Sequence, residues 1–430
     1  MDWTEAYHKF DPMEPLEASD LRLYPELFGG FLDTVAARIL LNRDKNQKLL
    51  LSGHVGCGKS TFLNLLTERD DMKKNFFTVK YSIKDVLDPN DTNHIDLLLS
   101  FTIQTFIAAQ ESNKVKIDKE LLKKLDELAK EIQGLIIREE ETSRKKKREI
   151  GFETKAGVNL PALILWFKSA FFARYKIENE TRESIRKYYK PRMTDLLNTI
   201  TELLNRVQAS LNKPLLILID DTDKIYPIER ALEIFFDNGQ YLAKPPSNIV
   251  FMVDTAISCS SKFPVIKANI GDEEFFPAIK VIEQNNSFSP TTNANRKMLR
   301  ELVLRRISEE LIEEQALKRA TEMSGGVVRE LIRILQEAIF NARGRVREDH
   351  VDYAVIKIRN GYNLFAEHVK ILKAVLQDPN WFQTAMEDTI KLESILLELL
   401  HMPALFQYRD GEDKWYRPYP IFIPLLEKLG

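Results

Sequence analysis

The sequence has little cysteine, little net charge and no long apolar run. Its 430 residues contain two cysteines, Cys57 and Cys259, which are too few for a disulfide framework and indicate a reducing compartment. No apolar stretch approaches the length of a membrane-spanning helix, and the first residues are acidic rather than signal-like. The formal net charge is −2, so no overall positive field points to nucleic acid. We therefore expect a cytoplasmic protein without membrane contact, in which any nucleic-acid contact comes from a local patch.

A glycine-rich motif follows an early apolar run. Residues 53–60 have the sequence GHVGCGKS, with the spacing Gly, four residues, Gly-Lys-Ser. The motif lies between Leu49–Leu51, which we predict as a strand, and a helix-like segment. A strand, a glycine-rich turn and a helix in succession point backbone N–H groups at a phosphate. This predicts a Walker A loop, with nucleotide contacts from Gly53, His54, Val55, Gly56, Cys57, Gly58, Lys59, Ser60 and Thr61.

Two carboxylates that follow another apolar run extend this prediction. Residues 215–219 are typical of a strand buried on both faces of a parallel sheet, and Asp220 and Asp221 come directly after them. We expect Lys59 to contact the β- and γ-phosphates, and Ser60 and Asp220 to hold Mg²⁺. Asp221 then stands where a base or a water-orienting carboxylate is needed. Asp-Asp after a strand is also a common cap or turn, but its pairing with the phosphate loop favours the catalytic role.

Three segments together resemble the additional-strand P-loop ATPases. They are the loop 53–60, Asp220–Lys224 and Ser324–Leu331. This group joins the AAA+ proteins, including the Cdc6/Orc-like initiators, to the STAND signalling ATPases, and the resemblance covers roughly residues 15–360. The resemblance implies ATP hydrolysis with Mg²⁺ as cofactor. The expected preference for ATP over GTP depends on the resemblance alone. AAA+ proteins usually have Asp-Glu after this strand, so the Asp-Asp of this chain favours a slow switch over a fast motor.

The resemblance also implies roles for residues outside the phosphate loop. Asp254 follows a predicted strand over residues 248–253 and matches the sensor 1 position, which contacts the γ-phosphate or positions water. A loop-capping role for Asp254 is an equal alternative. Arg329 matches the sensor 2 arginine, which reaches from a helical lid to the γ-phosphate and makes the lid angle depend on ATP. The arm from Leu16 to Pro25 would pack on the adenine.

The order of predicted elements indicates an α/β fold. We expect a P-loop NTPase parallel sheet with a helical insertion, an α-helical lid and a C-terminal winged-helix-like domain. The predicted divisions are an N-terminal arm and helix (1–47), the ATPase core (48–290, with a helical and basic insertion at about 114–190), the lid (291–362) and the winged-helix-like domain (363–430). The last division combines two predicted helices with a hairpin at an Asp-Gly turn. Its second helix is acidic, which favours protein contact over DNA contact.

Two basic segments are candidate interaction sites. Arg144–Arg148 is a dense basic run, and Lys168–Arg192 combines many cations with interleaved tyrosines. Such segments suit nucleic-acid binding, a solvated surface or a subunit interface that supplies an arginine in trans. We predict Arg182 and Arg186, one helical turn apart, as the preferred trans-acting arginines.

The leading hypothesis is an ATP-dependent molecular switch. ATP and ADP would in turn occupy a site between core and lid. The resulting change of lid angle would drive homo-oligomerisation or regulate a partner protein, by analogy in anti-phage defence. The alternative is a DNA-binding initiator, loader or transposition regulator that uses the basic segments. A third interpretation, a module that only binds nucleotide, follows from Asp221 in place of glutamate.

Overall fold

The computed structural model describes residues 2–15, 29–112, 119–142, 160–384, 389–411 and 413–428. No helix within these ranges is both long enough and apolar enough to cross a membrane. The predicted adenine contact by Leu16–Pro25 and the basic run Arg144–Arg148 lie outside the described residues.

A five-stranded sheet forms the centre of the fold. All pairings in it are parallel, and the order is β2-β3-β4-β1-β5. The strands are β1 (Lys48–Gly53), β2 (Phe77–Ser82), β3 (Leu215–Asp220), β4 (Asn248–Asp254) and β5 (Asp272–Phe276). Because β4 lies between β1 and β3, one strand separates the phosphate loop from Asp220. The predicted α/β P-loop fold is confirmed.

Apolar composition explains which strands could be predicted. Every residue of β1, β3 and β4 is buried, as expected for central strands covered on both faces. The sequence pattern did not indicate β5, because it begins Asp-Glu-Glu and lies at the sheet edge, where its first three residues are not buried.

The helices of the ATPase core alternate with these strands. They are α1 (Trp3–His8), α2 (Gly29–Leu41), α3 (Lys59–Glu68), α4 (Asp70–Asn75), α5 (Ile83–Val86), α6 (His94–Glu111), α7 (Lys119–Thr142), α8 (Leu160–Trp166), α9 (Phe172–Ile177), α10 (Asn179–Tyr189), α11 (Met193–Leu211), α12 (Ile228–Leu232), α13 (Gly239–Leu242), α14 (Thr255–Cys259) and α15 (Phe263–Ile270). Short 3₁₀ turns include Pro89–Asp91, Lys190–Arg192 and Thr222–Lys224. Helices α7 to α10 are called the insertion below.

Two further groups of elements follow the core. The lid consists of α16 (Pro290–Leu304), α17 (Glu314–Met323), α18 (Val328–Ala342) and α19 (Glu348–Arg359). The C-terminal module consists of α20 (Ala366–Gln377), α21 (Trp381–Thr384), α22 (Thr389–His401), β6 (Leu405–Asp410), β7 (Asp413–Pro418) and α23 (Ile423–Lys428). Strands β6 and β7 form the predicted antiparallel hairpin, with Gly411 in the left-handed region at φ 64°. Helices followed by a hairpin are compatible with a winged helix, which stays a prediction.

Side chains that alternate along the strands divide the interior into two apolar cores. Leu49 and Leu51 belong to the first core, whereas Leu50 belongs to the second. The first core joins the sheet to α2, α3, the lid and the C-terminal module. The second joins the opposite face to α6, α11 and the insertion. The insertion and the C-terminal module therefore lie on opposite faces of the sheet.

The long amphipathic helix of the insertion packs within its own chain. Its apolar stripe, Leu121, Leu125, Leu128 and Ile132, is at most 2% exposed and belongs to the second core. The packing partners of α7 include α10 and α11. Burial of this stripe supports the intramolecular interpretation of the helical periodicity over an intermolecular coiled coil.

Candidate functional site

The phosphate loop connects β1 to α3 as the glycine spacing predicts. Gly56 and Gly58 have φ values of 93° and 102°, a region that residues with a Cβ rarely adopt. A Cβ on Gly56 would lie 2.7 Å from the Cβ of Arg329, so the loop also needs glycine because the lid approaches it closely. Helix α3 begins at Lys59 with its N-terminus at the loop, which favours a bound anion.

Lys59 is buried at the base of this loop. Its side chain is 4% exposed, and Nζ donates to the backbone carbonyls of Gly53 and His54. Nζ also lies 2.8 Å from an Asp223 carboxylate oxygen. The loop, β1 and the turn after β3 thus hold the ammonium group that was predicted to contact the phosphates.

The predicted magnesium ligands lie next to each other. Ser60 Oγ donates to Asp220 Oδ1 at 3.0 Å, although 160 residues separate them. Burial, with Asp221 and Asp223 nearby, raises the pKa of Asp220 above its ordinary value. A divalent cation would relieve this crowding of negative charge, and a hydroxyl with a carboxylate is a donor set that Mg²⁺ accepts. Ser60 and Asp220 therefore fit the metal that the motif implies.

Asp221 is held by several groups from neighbouring elements. Its backbone is left-handed, at φ 65°, and its N–H donates to Asp220 Oδ1 at 2.8 Å. Ser82, the last residue of β2, donates to Asp221 Oδ2 at 2.6 Å. Lys224 and Lys84 contact the other carboxylate oxygen, Lys84 at 3.5 Å. Burial alone would raise the pKa of Asp221, but Lys224, Ser82 and Lys84 hold it below its usual range.

A cavity of about 700 Å³ lies over these groups, between core and lid. Arg329 lines it, and the backbone N–H of Arg329 donates to the Gly56 carbonyl at 3.0 Å. The Arg329 Nε donates to the carbonyl of Pro12 at 3.1 Å, so the N-terminal segment is one wall of the cavity. Among the other lining residues are Lys59, Ser60, Thr61, Asp220, Asp221, Asp223, Lys84, Lys224 and Arg306.

Residues 35–315 match the KAP family P-loop domain, which is more than half of the chain. The chain belongs to the KAP family. Its KAP domain includes the phosphate loop, the carboxylates after β3 and the first lid helix. No curated protein matches the sequence.

Three solved structures are similar to this chain over nearly its full length. A Walker-type ATPase of Pyrococcus abyssi is 13% identical, with a TM-score of 0.44 over 97% of this chain and 99% of that chain. The Drosophila ORC bound to DNA is 11% identical, with a TM-score of 0.39 over 99% and 92%. Cdc6p of Pyrobaculum aerophilum is 12% identical, with a TM-score of 0.38 over 98% and 97%.

Asp254 lies at the end of β4 in the KAP domain, but its contacts are those of a cap. Its Oδ1 accepts from the N–H of Ala256 at 2.7 Å and caps α14. Its Oδ2 lies 3.2 Å from His401 Nδ1 in the C-terminal module. The hydrogen bond and charge of Asp254 raise the pKa of His401 above its ordinary value. The sensor 1 role of Asp254 stays a prediction, while the capping alternative describes its contacts here.

The C-terminal module contacts the phosphate loop directly. The backbone N–H of Gln407 in β6 donates to His54 Nε2 at 2.7 Å, and the Phe406 ring packs edge-on against the imidazole at 5.4 Å. Burial lowers the pKa of His54 to about 4, which keeps the ring neutral and able to accept. Tyr408 donates to the carbonyl of Gly325, at the glycine pair between α17 and α18, at 2.6 Å. One hairpin thus touches both the phosphate loop and the lid.

The structure corrects the predicted role of Arg182 and Arg186. The two side chains are 3% and 7% exposed and face the interior of their own chain. Arg182 Nε pairs with Asp91 at 2.7 Å, and Arg186 Nη2 pairs with the fully buried Asp96 at 2.5 Å. Because both are committed to these carboxylates, neither can reach a neighbouring subunit. Cations of the predicted segment that lie exposed are Lys168, Lys176, Lys187, Lys190 and Arg192.

Several groups at this site were outside the sequence prediction. Ser82 ends β2 and Lys84 comes two residues later, and only the sheet order brings that strand end beside Asp221. Lys224 and Asp223 belong to the segment Asp220–Lys224 after β3, but the sequence analysis predicted no role for either residue. Their alternation of acid and base directly after a buried strand was the available signal.

Proposed function

We propose that this KAP domain is a magnesium-dependent ATP switch that transmits nucleotide occupancy to its lid and C-terminal module. One observation carries the proposal: the phosphate loop is contacted by both regions at once. Arg329 N–H donates to Gly56 on one side, and Gln407 N–H donates to His54 on the other. A phosphate that reshapes the loop would therefore alter contacts with both regions.

Hydrolysis would reset the switch. Ser60 and Asp220 would hold Mg²⁺, which neutralises phosphate charge when bound. Water would form a bond to the γ-phosphorus while the bond to the bridging oxygen breaks and its electron pair leaves on ADP. The water proton would pass to Asp221. Asp221 is paired with cations and has a lowered pKa, which makes it a weak base and favours slow turnover.

The partner is proposed to be protein rather than DNA. In the C-terminal module, Glu393 accepts hydrogen bonds from Ser260 and Ser261 of the core, and the hairpin contacts the phosphate loop. These groups are therefore engaged within the chain. Two of the eight cations in the predicted segment Lys168–Arg192, Arg182 and Arg186, are buried in ion pairs and are unavailable to DNA. Oligomerisation on ATP and a role in anti-phage defence stay predictions.

The test is Mg-ATP binding and hydrolysis by the wild type, Lys59→Ala and Asp221→Asn. Lys59→Ala should weaken ATP binding, whereas Asp221→Asn should keep binding and lose about 100-fold in turnover. Asp44→Asn, at a surface pair with Arg43, is the matched control. Sedimentation in ATP and in ADP reports any change of assembly. Equal turnover by Asp221→Asn and wild type would contradict the proposal, and salt-sensitive stimulation by double-stranded DNA would favour the loader alternative.

A further inference from the structure

Two lysines share one carboxylate at the edge of the nucleotide cavity. Lys84, in the first turn of α5, places its Nζ 3.5 Å from Asp221 Oδ1. Lys224, in the 3₁₀ turn after β3, contacts the same oxygen. Asp221 and the nearby Asp223 balance these two cations in the structure. An anion that enters the cavity would compete with these carboxylates for the two ammonium groups.

The position of the two lysines relative to the other groups identifies the anion. Asp221 directly follows Asp220, which accepts the hydrogen bond of Ser60 at the predicted metal position. Both lysines line the same cavity as Lys59 and the phosphate loop. Because both lysines line this cavity beside Asp221, the anion we expect there is the terminal phosphate of a bound triphosphate.

No arginine from the predicted trans pair is available for this duty, because Arg182 and Arg186 are buried in their own chain. A charge that develops on the transferring phosphoryl group still needs neutralising cations. Lys84 and Lys224 are positioned to supply them from within the chain.

We infer that Lys84 and Lys224 are catalytic residues that move from Asp221 to the γ-phosphate when ATP binds. The inference rests on the proposed ATP hydrolysis. In the structure the two ammonium groups lie against Asp221. On transfer to the phosphate they would stabilise the charge that develops on it. The attacking water, the broken γ-phosphorus bond and the departing ADP are those of the hydrolysis described above.

The test measures kcat, and ATP and ADP affinities, for Lys84→Met, Lys224→Met and the double variant. Each single variant should lose about 100-fold in kcat, since loss of one charge-stabilising group costs at least about this order of rate. ATP affinity should fall, while ADP affinity should stay within about twofold because ADP lacks the γ-phosphate. Lys84→Arg keeps the charge and should keep most of the activity. Lys73→Met removes a lysine paired with Glu68 on the surface and is the matched control.

A second readout concerns neighbouring molecules. Wild-type activity per molecule should be constant across protein concentrations, because the required cations belong to the same chain. Single variants with a kcat within about twofold of the wild-type value would overturn the inference. So would activity per molecule that rises with protein concentration to the same extent in the wild type and in both lysine variants. If the wild type binds ATP but does not hydrolyse it, affinity becomes the test. The inference then requires that the double variant lose the wild-type preference for ATP over ADP. Failure of the wild type to bind Mg-ATP would instead contradict the proposed function.

Discussion

The insertion and the C-terminal module differ in what they contact. The insertion covers the face of the sheet away from the lid, and its ion pairs, such as Arg186 with Asp96, are internal to that face. The C-terminal module shares the other core and reaches the phosphate loop through His54 and Gln407. The insertion is the more basic of the two, yet the module is the one that touches the nucleotide site. We therefore base the proposed function on contact with the phosphate loop rather than on local charge.

The largest expected effect is in the insertion. Arg186→Ala leaves the fully buried Asp96 without its closest cation, so the unfolding free energy should fall by about 3–5 kcal/mol. Arg192→Ala removes an exposed cation over the Tyr188 ring and should change it by less than about 1 kcal/mol. Urea denaturation followed by circular dichroism measures both. Equal effects of the two substitutions would mean that the buried network has no structural role.

A pair of glycines tests the C-terminal contact. Gly325 and Gly411 both have left-handed backbones, so alanine costs about 1–2 kcal/mol at either position. A Cβ on Gly325 would also lie 2.8 Å from the Phe406 ring, whereas one on Gly411 meets nothing within 4 Å. Gly325→Ala should therefore destabilise the protein by about 1–3 kcal/mol more than Gly411→Ala, by thermal denaturation. If the two variants match, the hairpin does not pack tightly on the lid.

Acid should affect both faces of the sheet through buried histidines. The pKa of His54 at the module contact and that of His94 in α6 are each lowered to about 4, chiefly by burial. The unfolded chain binds these protons from about pH 6.5 downwards, so stability is lost as pH falls through the window from 6.5 to 4. Each histidine should contribute about 1.5 kcal/mol of this loss between pH 6.5 and 5.

The comparison of His54→Gln with His94→Gln separates the two faces of the sheet. Each variant should flatten the acid limb of a stability–pH curve, and only His54→Gln should also change nucleotide affinity. An acid limb identical to that of the wild type would contradict the burial of the neutral ring concerned.

The smallest effect is expected at the His401 contact with Asp254. Asp254 raises the pKa of His401, so the stabilisation is complete below about pH 6.5 and is lost as pH rises through the raised pKa. Because the pair is partly exposed, its contribution should be about 0.5–1 kcal/mol. His401→Gln should lack this decrease in thermal stability at rising pH. A contribution of His401 that increases as pH rises above about 6.5 would contradict the raised pKa.

Local sequence patterns predicted the phosphate loop and the central strands. They did not predict contacts between residues that are far apart in the sequence. The phosphate loop and the strands before it and before Asp220 follow from spacing and apolar runs, which neighbouring residues determine. The partner of His54 lies 353 residues away, and no local pattern indicates it. Arg182 was misjudged for the same reason: its carboxylate partner Asp91 lies 91 residues earlier in the sequence.

The most direct test of the account is amide hydrogen exchange with and without a nonhydrolysable Mg-ATP analogue. Nucleotide that acts through the phosphate loop should change exchange in β6 and in the segment around Gly325, and leave α8 to α10 unchanged. His54→Ala should keep the protection of the phosphate loop and lose the change in β6. Protection confined to the phosphate loop, or a change in the insertion instead of the C-terminal module, would contradict the proposed coupling.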